Sequence, residues 1–200
     1  MMDGEKRSVD ELIQMALRYR TYWKDGGGIT VSGGEPLMQM DFLIELFKKA
    51  KKEGIHTTID TSGAPFTRND PFFGKFNELM NYTDLLLVDL KHIDEEQHRI
   101  LTGHTNVNIL DMAQYLSDID KPVWIRHVLV PERNDEDKYL KQLYNFIKGL
   151  KNIQKVEVLP YHTLGEYKWK ELGYDYPLAG IEPPTNERVR NANELLHTGK

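Results

Sequence analysis

The sequence predicts an α/β fold with a parallel sheet built from five βα units, and two observations support this prediction. Five short, mostly apolar segments suited to buried strands alternate with longer segments of helical periodicity. Of the 200 residues, 40% are hydrophobic and 28% are charged, a balance typical of a globular chain rather than a disordered one. Strands that are connected through helices pair in parallel by right-handed crossovers. We expect one domain over residues 1–200.

The first two predicted helices flank the first predicted strand. Ser8 and Glu11 have the spacing of a capping box, and the helix that they begin is expected to end near Asp25. Residues Ile29–Ser32 are rich in β-branched side chains and lie between glycine-rich turns, which indicates a buried strand. A second amphipathic helix then ends in a run of lysines before Gly54, as the helix dipole and glycine capping favour.

The remaining strands and helices follow in the same alternation. The other predicted strands are His56–Thr61, Leu85–Leu90, Val123–Val130 and Val156–Leu159. The other predicted helices lie near residues 71–81, 95–101 and 106–118 and over Asp135–Leu150, and a long loop precedes a final helix. These strands are nearly continuous in apolar residues, as in the buried sheets of α/β proteins.

The composition excludes several classes of function. The 26 basic and 31 acidic residues give a net charge of -5, so no basic surplus favours nucleic acid or an anionic membrane as a partner. The sequence has no long apolar window that would indicate a membrane span, and no hydrophobic region near Met1 that would indicate a signal peptide. We therefore expect a cytoplasmic protein. The sequence has no cysteine, which excludes disulfides, thiolate zinc sites, cysteine nucleophiles and an iron–sulfur cluster held by the chain's own thiolates.

Polar residues follow all five predicted strands, at the sheet edge where parallel α/β folds bind ligands. The residues at these strand ends are Gly33, Gly34 and Glu35 after the first strand, Asp60, Thr61 and Ser62 at the second, Asp89, Leu90 and Lys91 at the third, Arg126 in the fourth and His162 after the fifth. Residues at strand ends ordinarily form caps and turns. These roles explain the presence of Glu35, Lys91, Arg126 and His162 less well. The glycine pair exposes backbone groups that, together with Glu35, suit an amino-acid zwitterion.

The ordered set of these motifs resembles the segments of radical-SAM enzymes that activate glycyl-radical enzymes. The matching segments are Ile29–Leu37 (ITVSGGEPL) with Gln39, Glu53–Gly63 (EGIHTTIDTSG), Thr83–His92 (TDLLLVDLKH), Leu101–Gly103 (LTG), Trp124–Arg126 (WIR), Val130 and Pro131 with Asn134 and Asp135, and Leu159–His162 (LPYH) with Leu164, Gly165, Lys168 and Trp169. The resemblance covers nearly the whole chain. It implies a partial parallel (βα) barrel of the radical-SAM type.

The resemblance also implies cofactors. In that family a [4Fe-4S] cluster binds S-adenosylmethionine, and reductive cleavage gives a 5'-deoxyadenosyl radical that takes a hydrogen from a glycine of the partner. By motif, the resemblance assigns the methionyl amine to Gly33, Gly34 and Glu35, and the methionyl end to Asp89 and Lys91. It assigns the methionyl carboxylate to Arg126 and the ribose or adenine to His162. Asp60, Ser62 and Leu90 complete the expected set. Asp60, Thr61 and Asp89 match positions of a monovalent cation, although a strand-end cap is the alternative for Asp60.

The implied partners are a glycyl-radical enzyme, such as pyruvate formate-lyase or a relative, and an electron donor such as flavodoxin or ferredoxin. The family's CxxxCxxC loop lies upstream of the strand Ile29–Ser32 and is absent here. We therefore expect a truncated barrel without the first strand and the cluster loop, inactive by itself, in which Ile29–Ser32 forms an edge that invites pairing. His92, His98 and His104 are six residues apart and do not share a helix face, so they do not replace the thiolates.

Other functions remain open at this point. A cluster-free barrel could bind S-adenosylmethionine or a partner without catalysis, and an in-frame CxxxCxxC upstream would distinguish an activating enzyme from it. An unrelated sugar-phosphate enzyme would need a glycine-rich phosphate loop after its last strands, where this chain has only Gly165. The sequence leaves open which glycyl-radical enzyme is the partner, whether a ferredoxin-like insertion lies upstream, whether truncation or natural loss removed the cysteines, and the oligomeric state.

Overall fold

The chain forms one five-stranded parallel sheet with the strand order β1-β2-β3-β4-β5. A computed structural model describes residues 5–23 and 26–198. The strands are β1 (Gly28–Val31), β2 (His56–Thr61), β3 (Leu85–Asp89), β4 (Val123–Leu129) and β5 (Ile153–Pro160). The spatial order equals the chain order, as expected when every right-handed crossover advances the sheet by one strand. The predicted α/β fold with five βα units is confirmed.

Helices connect all the strands. They are α1 (Val9–Arg18), α2 (Met40–Lys52), α3 (Phe72–Met80), α4 (Glu95–Thr102), α5 (Val107–Asp118), α6 (Asp137–Lys148), α7 (Glu166–Glu171) and α8 (Asn186–Leu195). The capping box at Ser8 and Glu11 is formed: the Glu11 N–H donates to Ser8 Oγ over 3.3 Å, and the Ser8 N–H donates to Glu11 Oε2 over 2.7 Å.

The structure differs from the sequence prediction most clearly in three places. Helix α1 ends at Arg18 and a 3-10 turn, Arg20–Tyr22, follows it, whereas the predicted end near Asp25 lies outside the described residues. The segment after β5 is not an uninterrupted loop, because it contains α7. Strand β5 begins three residues earlier than predicted, since the exposed Gln154 and Lys155 hide its strand character while pairing with β4 continues.

The two faces of the sheet carry different side chains. Ile59, Leu86, Val88 and Ile125 are buried and belong to the main core together with side chains of the surrounding helices. Side chains alternate along a strand, so their neighbours Asp60, Asp89 and Arg126 lie on the opposite, concave face. Because this face carries partly exposed polar groups at the C-terminal strand ends, it holds the candidate site.

Strand β1 is an edge of the sheet. It pairs with β2 from Gly28↔His56 to Val31↔Ile59, and no strand within residues 5–23 and 26–198 pairs with its other side. The expected edge position of this strand is confirmed. Within the described residues no helix is both long and apolar enough to cross a membrane.

Candidate functional site

Four charged side chains from neighbouring strands converge on the concave face and form an ionic cluster of Asp60, Asp89, Lys91 and Arg126. The register places Arg126 opposite Asp89, and its guanidinium donates to Asp89 Oδ1 from Nε over 3.1 Å and from Nη2 over 2.9 Å. The same Nη2 donates to Asp60 Oδ1 on β2. On the other side, Lys91 Nζ donates to Asp89 Oδ2 over 3.1 Å. Two carboxylates and two cations therefore share one site.

The ionic cluster is sheltered but reachable from solvent. The side chains of Arg126, Asp60 and Asp89 are 20%, 22% and 18% exposed, and that of Lys91 is 37% exposed. Burial raises the pKa of Asp60 above its usual value; nearby Arg126 opposes this effect, and the charges of Asp89 and Glu35 add to it. An additional positive group from a ligand would therefore be favourable beside Asp60.

Glu35 ties the loop after β1 to the end of β2. One carboxylate oxygen accepts hydrogen bonds from Thr61 Oγ1 over 2.6 Å and from the Leu37 N–H over 3.1 Å. The other accepts from Ser62 Oγ over 2.6 Å and from the Ser62 N–H over 3.0 Å. Because four donors already approach this carboxylate, its main role in the structure is to hold two loops together, with its negative charge near Asp60.

Gly33 and Gly34 form an open turn next to Glu35. Their φ angles are +84° and +51°, in the left-handed region that other residues rarely adopt. A Cβ added to either residue would meet no atom within 4 Å among the described residues. The glycines are thus required by the backbone conformation, and they leave the backbone edge accessible to a ligand.

Three further predicted site residues have different surroundings. Leu90 is buried; its N–H donates to the Arg126 carbonyl over 2.9 Å, and its carbonyl accepts from His127 Nδ1 over 2.7 Å. His162 is exposed after β5, and no hydrogen bond or ion pair joins it to the ionic cluster in the described part of the chain. The Thr61 hydroxyl is buried and donates to Glu35, so it does not contact Asp60 or Asp89 through a hydrogen bond.

An aromatic cleft of about 580 Å³ opens beside Lys91. Its lining includes Arg99, Val128, Tyr161, Trp169, Tyr176 and Leu178. The hydroxyls of Tyr161 and Tyr176 are 2.8 Å apart, and burial together with this hydrogen bond raises the pKa of Tyr161 to about 12. The cleft therefore offers apolar surface and two tyrosine hydroxyls next to a charged edge, which suits a ligand with an aromatic part and an ionic part.

Comparisons with known proteins identify the family. The Radical SAM superfamily matches residues 2–144. A pyruvate formate-lyase-activating enzyme of Streptococcus mutans is 55% identical over 193 residues, which cover 96% of this chain and 73% of the relative. The chain belongs to the pyruvate formate-lyase-activating enzymes of the radical SAM superfamily. A relative of the same name from Listeria monocytogenes is 50% identical over 98% of this chain and 79% of its own length.

Solved radical SAM structures agree with this assignment. A domain of a pyruvate-formate lyase-activating enzyme from Bacteroides vulgatus matches with a TM-score of 0.69 at 28% identity, over 86% of this chain and 94% of that domain. Streptococcus suis SuiB bound to S-adenosylmethionine matches with a TM-score of 0.67 at 19% identity, over 98% of this chain and 41% of SuiB, and supports the fold alone. The predicted partial barrel of the radical-SAM type is confirmed.

The family implies S-adenosylmethionine and a [4Fe-4S] cluster, and the residues of this radical SAM chain fit the two groups differently. The ionic cluster, the glycine turn and the aromatic cleft together suit the charged and aromatic parts of S-adenosylmethionine. Fe–S clusters are held by thiolates, and the 200-residue sequence has no cysteine. Among the described residues, no three His, Asp or Glu side chains are placed to hold a metal ion. The iron–sulfur cluster therefore does not fit the donors of this chain.

Sequence reasoning missed several residues that shape the site. Arg99 and Tyr176 line the aromatic cleft from α4 and from the segment after α7, and their spacing in the sequence has no local pattern that predicts this. Asn106 binds two backbone carbonyls of the loop after β3. Asn134 binds a third, a contact that its place in a matching motif did not indicate. The position of Asn106 just before a helix was an available signal, since asparagine favours helix caps and turns.

Proposed function

We propose that this chain takes part in the activation of a glycyl-radical enzyme by binding S-adenosylmethionine at the C-terminal strand ends. The observation that carries the proposal is the convergence of Asp60, Asp89, Arg126 and Lys91 in one ionic cluster. The names of the relatives support pyruvate formate-lyase as the glycyl-radical enzyme concerned. Proposed partners are therefore pyruvate formate-lyase or a related enzyme and, from the resemblance, an electron donor such as flavodoxin or ferredoxin.

The charges of the site suit the methionyl end of S-adenosylmethionine. Arg126 and Lys91 are the cations available to a ligand carboxylate, by charge-assisted hydrogen bonds. The negative charges of Asp60 and Glu35 and the open backbone of Gly33 and Gly34 favour the amine and the sulfonium. The bound cofactor supplies the sulfonium on which the chemistry of the family depends.

The aromatic cleft beside Lys91 suits the adenosyl part. Trp169 and Tyr176 offer ring surface to the adenine, and their rings are 5.8 Å apart. The resemblance adds His162 next to the ribose or adenine, and Ser62 and Leu90 as loop and backbone contacts. A monovalent cation at Asp60, Thr61 and Asp89 remains part of the proposal, and it would have to compete with the Arg126 guanidinium for both carboxylates.

The lack of cysteine favours a second candidate function. A chain without thiolates can hold S-adenosylmethionine or the partner without carrying out the radical step itself. We therefore assign to the residues of this chain only binding, orientation and shielding of the cofactor. The two candidates predict the same binding but differ in catalysis.

Cofactor binding is tested by nuclear magnetic resonance titration of the ¹⁵N-labelled chain with S-adenosylmethionine. We expect weak, saturable binding with shifts at Gly33, Gly34 and Lys91. Lys91→Ala should weaken binding about tenfold or more, because a charge-assisted contact is lost. Lys138→Ala is the matched control, since the exposed Lys138 side chain pairs with Glu136, two residues away, at 3.0 Å. Equal affinity in Lys91→Ala and Lys138→Ala would remove Lys91 from the site.

Partner binding is tested by competition. The Streptococcus mutans relative is used to activate pyruvate formate-lyase, and the glycyl radical is followed by electron paramagnetic resonance while this chain is added. A chain that recognises the partner but forms no radical should slow the activation in proportion to its concentration. Radical formation by this chain alone would support the activating enzyme over the binding protein, and no effect at a large excess would exclude recognition of this partner.

A further inference from the structure

The segment that follows β3, residues 90–93, is held by side chains from three other elements; we call it the strand-exit segment. The Leu90 carbonyl accepts from His127 Nδ1 over 2.7 Å, and the Lys91 carbonyl accepts from Asn134 Nδ2 over 2.8 Å. The carbonyls of the next two residues, His92 and Ile93, accept from Asn106 Nδ2 over 3.0 Å and 2.8 Å. Four successive carbonyls are therefore bonded to side chains rather than to a neighbouring strand.

The three donors are themselves fixed. The exposed fractions of His127, Asn134 and Asn106 are 2%, 1% and 2%. A carbonyl only accepts, so the His127 Nδ1 that faces Leu90 must carry the proton. Burial lowers the pKa of His127 to about 4, and its imidazole is neutral near neutral pH. Buried donors of this kind have few alternative partners, and this limits the positions that the segment can occupy.

Asn134 is the donor that connects the backbone segments carrying the two cations of the ionic cluster, Lys91 and Arg126. Its Nδ2 also donates to the Val128 carbonyl over 2.8 Å, and its Oδ1 accepts from the Val130 N–H over 2.7 Å. One carboxamide therefore joins the backbone of Lys91 to the end of β4, the strand that carries Arg126. Because Arg126 and Lys91 pair with different oxygens of Asp89, the distance between the two strands sets how the cations stand around that carboxylate.

We propose that Asn134 is a positioning residue that sets the place of the Lys91 ammonium relative to Arg126. The inference rests on the proposed function, since the affected ligand is S-adenosylmethionine. Without the Asn134 amide, the Lys91 carbonyl would need a water molecule as its hydrogen-bond donor, and the strand-exit segment would move away from β4. Binding energy at such sites depends on groups that are held in place before the ligand arrives.

The test is a double-mutant cycle in which the affinity for S-adenosylmethionine is measured by the same titration. Asn134→Ala should weaken binding about tenfold, and Asn134→Ala combined with Lys91→Ala should bind no more weakly than Lys91→Ala alone, because the amide acts through Lys91. Effects that multiply in the double variant would overturn the proposal. If Asn134→Ala does not fold, Asn134→Ser takes its place in the cycle, because its side chain is polar but uncharged and is too short to restore the amide contact to Lys91.

Asn152→Ala is the matched control. Asn152 is 6% exposed and donates from Nδ2 to the Lys121 carbonyl over 2.5 Å, at the opposite end of the sheet. This variant should lose stability and keep its affinity for the cofactor. Equal losses of affinity in Asn134→Ala and Asn152→Ala would show that Asn134 has only a structural role and would overturn the proposal.

Amide hydrogen exchange separates this proposal from the proposed function. The Leu90 and Asp94 amides flank Lys91 and are both hydrogen-bonded, to the Arg126 carbonyl and to His92 Nδ1. Their exchange should become about tenfold faster in Asn134→Ala than in Asn152→Ala. If the wild-type chain binds no S-adenosylmethionine, the proposed function fails, and the exchange result alone decides whether Asn134 positions the segment; equal exchange in the two variants overturns it.

Discussion

Glu35 accepts two hydrogen bonds from Ser62 on one carboxylate oxygen, from the Ser62 N–H over 3.0 Å and from the hydroxyl over 2.6 Å. The two residues lie 27 positions apart in the chain and belong to the loops that follow β1 and β2. This contact sets the position of the glycine turn relative to β2. The first prediction follows from it.

Replacing Glu35 by Gln should destabilise the chain by about 1 to 3 kcal/mol, because an amide group would face donors that need an acceptor. The loss should appear in the free energy of unfolding measured with urea. Glu45→Gln is a suitable control, since Glu45 is exposed and pairs only with Lys49 four residues away within the described part of the chain. A Glu35→Gln variant as stable as Glu45→Gln would mean that the carboxylate is not the connection between the loops.

Replacing Arg126 by Met should cost about 2 to 4 kcal/mol at pH 7, because Asp60 and Asp89 would be left sheltered without their shared cation. The pKa of Asp60 is already raised by burial and would rise further. The Asp60 carboxyl takes up a proton more readily in the variant, so the deficit in stability should shrink as the pH falls toward 4. Unfolding of wild type and variant at both pH values measures this.

The comparison variant for Arg126 is Arg68→Met. Arg68 pairs with Asp111 at 2.8 Å on the surface, where both side chains are more than 40% exposed. Exposed pairs contribute little, so we expect a loss below about 1 kcal/mol with little dependence on pH. A deficit of the Arg126 variant that grows as the pH falls would contradict the role assigned to Arg126.

His127 should make the chain sensitive to acid. Burial lowers its pKa from 6.5 to about 4, whereas the unfolded chain binds this proton below about pH 6.5. The stability from this group is therefore complete above pH 6.5 and is lost as the pH falls toward 4, by about 3 kcal/mol in total. The buried His92 and His98, whose pKa values burial also lowers, act in the same direction.

The variant that isolates this effect is His127→Asn. Its amide can replace the donor to the Leu90 carbonyl but does not titrate, so the variant should lose less stability than wild type between pH 6.5 and pH 4. Urea unfolding at a series of pH values gives the two profiles. Parallel profiles over this range would show that His127 does not bind the proton on unfolding.

Incubation of this chain with iron and sulfide under anaerobic conditions should leave no stable [4Fe-4S] cluster. The reason is chemical, since the sequence supplies no thiolate to bind iron. Absorbance near the charge-transfer region and the electron paramagnetic resonance spectrum after reduction measure the outcome, with the Streptococcus mutans relative as the positive control. A cluster signal that stays with the chain through gel filtration would require other ligands.

Most of the fold could be predicted from the sequence because the strands that enter the core are apolar. The segment His56–Thr61 was predicted with the boundaries that the structure has, although Ile59 is its only apolar residue and the other buried positions are threonines, which suit strands because they are β-branched. Strand β5 was predicted too short because Gln154 and Lys155 are exposed and polar. The short helix α7 was missed because it has no buried residue and so no apolar stripe.

The candidate site could be predicted only in part. Strand ends were enough to locate Asp60, Asp89 and Arg126 at one edge, because parallel register brings them together. The hydrogen-bond partners of the loop residues could not be predicted. That Glu35 accepts from Ser62 and Asn134 donates to Lys91 depends on loop conformations, which no spacing in the sequence encodes.

The agreement between chain order and sheet order has a consequence for how the protein is made. Each strand pairs with the one that precedes it, as in Gly28↔His56 and Leu86↔Val123, so the sheet can grow as the ribosome releases the chain. Asp60 and Asp89 emerge before Arg126. During synthesis Lys91 is released together with Asp89, whereas Arg126, the cation that both carboxylates share, is released only with β4, which both extends the sheet and completes the ionic cluster.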